Sequence, residues 1–116
     1  MQAIPKNILA FKGLRMSVFA KRLKEARKYA GVSQEKLGVA AGIDEMSASA
    51  RMNQYERGKH DPDYLTVSRI AQVLNVPEGY FYTKDDAAAW LAVIFHRAST
   101  SDKDIVIAAA RSITGL

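Results

Sequence analysis

The residue types best suited to chemistry lie together in the stretch 47–59, Ser-Ala-Ser-Ala-Arg-Met-Asn-Gln-Tyr-Glu-Arg-Gly-Lys. Placed on a helix at about 100° per residue, Ala48, Met52 and Tyr55 fall on one side. Ser49, Ala50, Asn53 and Gln54 fall on the other, with Arg51 on the flank. The apolar side is a core side. The opposite side carries short polar groups and two amides, the types that pair with base edges in the major groove of a duplex. Ordinary solvation of a helix surface is the competing reading for each of them.

Little else in the chain has the spacing of a reactive site. Cysteine is absent, which removes disulfides, Cys-based zinc sites and thiol nucleophiles. His60 and His96 are isolated and lack metal-ligand spacing. No carboxylate pair, nucleophile–base set or phosphate-cradling glycine loop has motif-grade spacing. No enzyme, metal or cofactor is therefore expected.

The elements that must position the stretch are helical. Ser33 can cap a short helix, Gln34 to Ala41, whose Leu37, Ala40 and Ala41 recur at helical spacing. Gly42 then suits a left-handed C-terminal position. A second helix is expected over about 48–56. Ala48 cannot cap it, so the cap is assigned to Ser47.

The order Gln34, Leu37, Gly42, then Met52-Asn-Gln-Tyr-Glu-Arg-Gly-Lys59 resembles the helix-turn-helix of phage repressor and Cro proteins and of xenobiotic-response-element-type bacterial regulators. The resemblance covers roughly Phe19 to Phe81 and rests on an aromatic-Glu-x-Gly-Lys close placed after a Gln-x-x-Leu helix. Glu56 follows Gln34 by 22 positions, about four more than in the commoner family pattern. The extra residues are assigned to a longer connection within Ile43 to Ser47. The resemblance implies a five-helix repressor-like domain that binds double-stranded DNA. It places Gln34 on a phosphate, Ser49, Ala50, Asn53 and Gln54 in the major groove, and Arg51 on a guanine or a phosphate. Arg57 and Lys59 would hold the DNA backbone. It also implies an ion pair between Arg27 and Glu56.

The rest of the chain fits an all-α fold. Ser17 caps a helix over Val18 to Ala30 with Phe19, Leu23, Ala26 and Ala30 as its core stripe. Lys21, Arg22, Lys24 and Lys28 are assigned to its exposed faces. Asp61 and Pro62 open a fourth helix with Tyr64, Val67, Ile70, Ala71 and Leu74 facing the core. Asn75-Val-Pro77 stops it, and Pro77 to Phe81 reads as a short fifth helix with Phe81 buried. Two additional C-terminal helices follow. One runs from Asp85 to about Arg97 after the capping sequence Thr83 to Asp86. The other starts at Ser101 and ends near Ile113. Both are more apolar than a one-sided amphipathic helix needs to be. The division is then 1–16, a flexible N-terminal arm or leader; 17–82, the DNA-binding domain; and 83–116, a helical pair.

Charge agrees with this division. Residues 1–60 carry 12 Lys/Arg and 5 Asp/Glu, a net of +7, against −2 for residues 61–116. A basic half that contains the motif is what phosphate contacts require. The longest apolar run, Ala87 to Phe95, is far short of the roughly 20 residues that span a bilayer. Residues 1–15 lack the continuous apolar core and cleavage site of a signal peptide. A cytoplasmic, nucleoid-associated protein with no membrane partner is expected.

The sequence thus points to a transcriptional regulator, a repressor in the expected sense. The alternative is an antitoxin or protein-interaction adaptor on the same fold, with a protein partner on the C-terminal pair. One motif offers only a few base positions, so a homodimer is expected. Its interface is assigned to Trp90, Leu91, Ile94, Phe95, Ile105, Ile107 and Ile113. The competing reading folds these residues back over a single core.

Overall fold

The computed structural model describes residues 17–116. The expected arm or leader over residues 1–16 lies outside the described residues. Among the described residues the chain is all-α: α1 Val18–Ala30, α2 Gln34–Ala40, α3 Glu45–Glu56, α4 Tyr64–Leu74, a 3-10 turn η1 Glu78–Tyr82, α5 Asp86–Arg97 and α6 Thr100–Thr114. The expected five-helix domain is thus four α-helices closed by one 3-10 turn. None of these helices is long and apolar enough to cross a membrane.

Most ends follow their capping chemistry. The Ser17 hydroxyl accepts from the Ala20 N–H, and Ser33 from that of Lys36. Three starts differ from expectation. Helix α3 begins three residues early because Asp44, not Ser47, supplies the cap, accepting from the Met46 N–H. Helix α4 begins at Tyr64 because Asp63, not Asp61, accepts from Thr66 N–H. That shift leaves Tyr64 72% exposed instead of in the core. Helix α6 begins at Thr100, capped by Ser99 rather than started at Ser101. In each case two candidate caps stand near one another, and the helix starts after the one whose side chain accepts a first-turn N–H.

The core gathers Phe19, Leu23 and Ala26 of α1, Leu37, Met52 and Tyr55, then Val67, Ile70 and Leu74 of α4, and Tyr80 and Phe81 of η1. Phe81 packs tilted on Phe19 with ring centroids 5.2 Å apart. Ala30 and Ala40, expected on core stripes, are exposed. Ala89 and Val93 of α5 belong to the same core. The expected boundary at 82/83 is therefore not a packing boundary, since α5 is one more wall of the domain.

A buried cation fixes that wall. Arg22, assigned by periodicity to an exposed face, is 0% exposed. Its guanidinium donates to the carbonyls of Thr83 (3.0 Å) and Lys84 (2.9 Å) and pairs with Asp86 (2.8 Å) and Glu25 (3.3 Å). The ring of Tyr80 lies 5.7 Å from it, and the Tyr80 hydroxyl donates to Glu25 at 3.0 Å. Hydrogen bonds from Arg22 and Lys21 hold the Asp86 carboxyl below its ordinary pKa. At the far end of α5, Arg97 donates to the carbonyls of Asn75 and Leu74, capping α4. Midway, Trp90 stands edge-on to Tyr29, with ring centroids 5.2 Å apart.

Helix α6 is different. None of its residues is buried, although Ile105 is 66% and Ile113 85% exposed.

Replacing Arg22 with Met should cost about 3 kcal/mol, because it strands two carbonyls and the carboxylates that face the guanidinium. Lys24→Met, on the exposed face of the same helix, should change stability by less than about 0.5 kcal/mol. Urea denaturation of both variants decides it. Equal losses would show that the carbonyls find other donors.

Candidate nucleic-acid interface

Helices α2 and α3 meet closely because of one glycine. A Cβ at Gly38 would lie 2.8 Å from the Ala48 Cβ and 3.1 Å from the Met52 Cγ. Real side chains do not approach so near, so only glycine permits this crossing. The chain then turns within residues 41–44, with Gly42 at φ +91°, a left-handed conformation that L side chains rarely adopt. The expected longer connection is thus a correction. The extra residues lengthen α3 at its front instead of the loop.

The other side of the joint is polar. Glu56 is 3% exposed, and Arg27 meets it two-pronged, Nε at 2.5 Å and Nη2 at 3.0 Å. The same guanidinium donates to the Val32 carbonyl at 3.0 Å. Hydrogen bonding to Glu56 raises the Arg27 pKa further above its ordinary value. The Gln34 amide donates to Glu56 and to the Asn53 side-chain oxygen, each at 3.3 Å. One carboxylate therefore gathers the end of α1, the start of α2 and the end of α3. Gln34 and Asn53 are half-buried and held by this network. Asn53 lies at the edge of the exposed face of α3, already engaged through its side-chain oxygen.

Ser49, Ala50, Arg51 and Gln54 are all exposed, as are Arg57 at the C-cap of α3 and Lys59 beyond it. Their core-side neighbours Ala48 and Met52 are 0% exposed. The face is therefore supported from behind and exposed in front. Of the 12 cations in residues 1–60, Arg22 and Arg27 are committed to internal carboxylates, and three lie outside the described residues. The cations flanking the face are Arg51, Arg57 and Lys59.

The helix start at Glu45 brings in Met46, which the shorter expected helix left out. An Asp-Glu pair, with Asp as cap and Glu in the first turn, was the available signal. Among the described residues no group of His, Asp and Glu side chains could hold a metal ion.

Of the predicted interface residues, Trp90 leans on the domain's own core and on Tyr29. Leu91, Phe95 and Ile107 share an open apolar groove of about 380 Å³ between α5 and α6, with Ala88, Ala92 and Val106. Lys103 covers the Phe95 ring at 5.6 Å. Ile94, Ile105 and Ile113 are exposed outside it.

Removing either Arg27 or Glu56 should destabilise by about 3 kcal/mol or more, since the survivor is left partly or wholly buried without its partner. The double replacement Arg27→Met with Glu56→Gln should cost less than the sum of the single losses. A thermal-denaturation cycle showing simple additivity would remove the coupling.

The family profile described as "Helix-turn-helix domain" matches residues 20–86. The HTH-type transcriptional regulator ImmR of Bacillus subtilis (strain 168) is 34% identical over 68 residues, covering 59% of this chain and 50% of that protein. An uncharacterized HTH-type transcriptional regulator of Sinorhizobium medicae (strain WSM419) is 34% identical over 61 residues, covering 53% of this chain and 41% of its own length. The chain thus spans half or less of the curated relatives it matches. The crystal structure of the transcriptional regulator BswR superposes with a TM-score of 0.73 at 43% identity, covering 84% of this chain and 93% of that one. With the profile spanning most of the domain and the Gln34–Glu56 joint in place, the chain belongs to the Cro/C1-type helix-turn-helix family.

Proposed function

We propose that the chain is a sequence-specific DNA-binding transcriptional regulator, a repressor, that works as a homodimer. The observation that carries this is the exposed face of α3, presented by a helix whose opposite side is locked into the core. In this reading Gln54, Ser49 and Ala50 meet base edges, with Asn53 entering from the joint. Gln34 reaches a phosphate from the start of α2. Arg51, Arg57 and Lys59 supply the charge that holds the duplex backbone. Such a protein acts where the chromosome is, in the cytoplasm. Its similarity to transcriptional regulators supports the same reading.

The dimer rests on α6 and the groove beside it. Helix α6 touches α5 along one side but buries no residue within its own described chain. A twofold copy sets the same surface against itself and places two reading helices about one DNA turn apart. The adaptor reading uses the same groove for a foreign protein, and the assembly state separates the two.

Binding should weaken steeply with salt, with a log–log slope of about −3 per half-site from the three flanking cations. A binding constant flat across salt would count against any duplex partner. Gln54→Ala should change the preferred base at one operator position and cost the cognate site roughly 1–3 kcal/mol, while Lys59→Ala weakens all sequences alike. Unchanged base preference in Gln54→Ala moves the reading face elsewhere.

Leu91→Glu and Ile107→Glu should turn dimer into monomer in sedimentation equilibrium without lowering the melting temperature, because both side chains are largely exposed in the single chain, 56% and 44%. A wild-type protein that stays monomeric at tens of micromolar, and on a palindromic duplex, sinks the dimer.

A further inference from the structure

Met46 is 91% exposed, the most exposed large apolar side chain among the described residues. It occupies the second position of α3, because the helix begins at Glu45. At about 100° per residue it shares one stripe with Ala50, Asn53 and Arg57. It therefore stands on the face proposed to read DNA, at the N-terminal end. In a helix laid into the major groove, that end supplies base contacts.

Its neighbours narrow what it can meet. Asp44 and Glu45 put two carboxylates at the tip of the helix, and the Asp44 carboxylate is committed to the Met46 N–H at 3.1 Å. Carboxylates repel phosphate, so the tip is unsuited to the DNA backbone. What it offers is a long, flexible thioether chain next to the methyl group of Ala50, one turn on. In the major groove the apolar feature on a base edge is the C5-methyl group of thymine. A Met side chain, with three rotatable bonds, can adapt to such a target.

We infer that Met46 is a base-reading residue that recognises the C5-methyl group of a thymine, with Ala50 continuing the apolar strip. The inference rests on the DNA-reading proposal above and adds to it the chemistry of one operator position. Because the side chain is exposed and its helix is capped independently by Asp44, it can be changed without touching the core.

The test uses the full chain and a duplex selected by it from random sequence. Each thymine in the selected half-site is replaced in turn by deoxyuridine, which removes only the methyl group. One such position should weaken wild-type binding about three- to fivefold per half-site, the value of one buried methyl. Met46→Ala should bind thymine and deoxyuridine duplexes equally, at the strength of wild type on the deoxyuridine duplex. Met46→Leu should keep the discrimination, which separates loss of contact from loss of folding. Full discrimination by Met46→Ala overturns the assignment, as does a wild type indifferent to every deoxyuridine. A wild type that selects no sequence at all brings down the DNA-reading proposal itself, and this inference with it.

Discussion

A carboxylate removed from water must be compensated, and in this fold that requirement falls on Glu56. It sits at the end of α3, 3% exposed, and its compensation comes from two other helices, Arg27 of α1 and Gln34 of α2. An arrangement that separated the three would leave a buried charge alone, at a cost of several kcal/mol, a sizeable share of a small domain's stability. The polar node and the glycine contact at Gly38 act on opposite sides of one joint. One holds the helices together, and the other sets how near they come. The angle at which α3 is presented follows from the two jointly.

Arg22 performs a parallel service for α5. Its donors run along the backbone of the 83–86 segment, so the start of α5 is tied to α1 as firmly as a cap would tie it. Arg97 fastens the opposite end to the last turn of α4. Of the two apolar C-terminal helices, one is thereby absorbed into the domain, and α6 alone remains outside. Any assembly through α6 and the adjoining groove inherits the fixed relation between α5 and α3.

Much of this was legible in the sequence where physical signals were local. Apolar spacing located the helices, and Ser17, Ser33 and Gly42 marked their ends. The Gln34, Glu56 and Lys59 pattern identified the joint. Failures came where two local signals competed or where the cause was distant. Asp44 and Ser47 are both acceptable caps, as are Asp61 and Asp63, and composition alone does not say which of each pair accepts the first-turn N–H. Arg22 reads as a surface cation because its acceptors are main-chain carbonyls about 60 residues away, which no side-chain pattern reveals. Gly38 lies mid-helix, where its use appears only once the neighbouring helix is in place. The excess apolar surface of the last two helices was visible, but its division between core and outside depends on the Arg22 and Arg97 anchors.

The outer side of α3 has a further property. The side chains of Ser49, Ala50 and Gln54 are exposed and make no side-chain hydrogen bond among the described residues, so exchanging them should leave folding stability nearly untouched. The residues of α3 that pack the domain, Ala48, Met52 and Tyr55, lie behind the helix axis, and its exposed side chains lie in front, with Asn53 at the edge between them. The same chassis can therefore carry many different faces. Over evolutionary time a gene for such a protein can change this surface by single steps, without passing through forms that fail to fold.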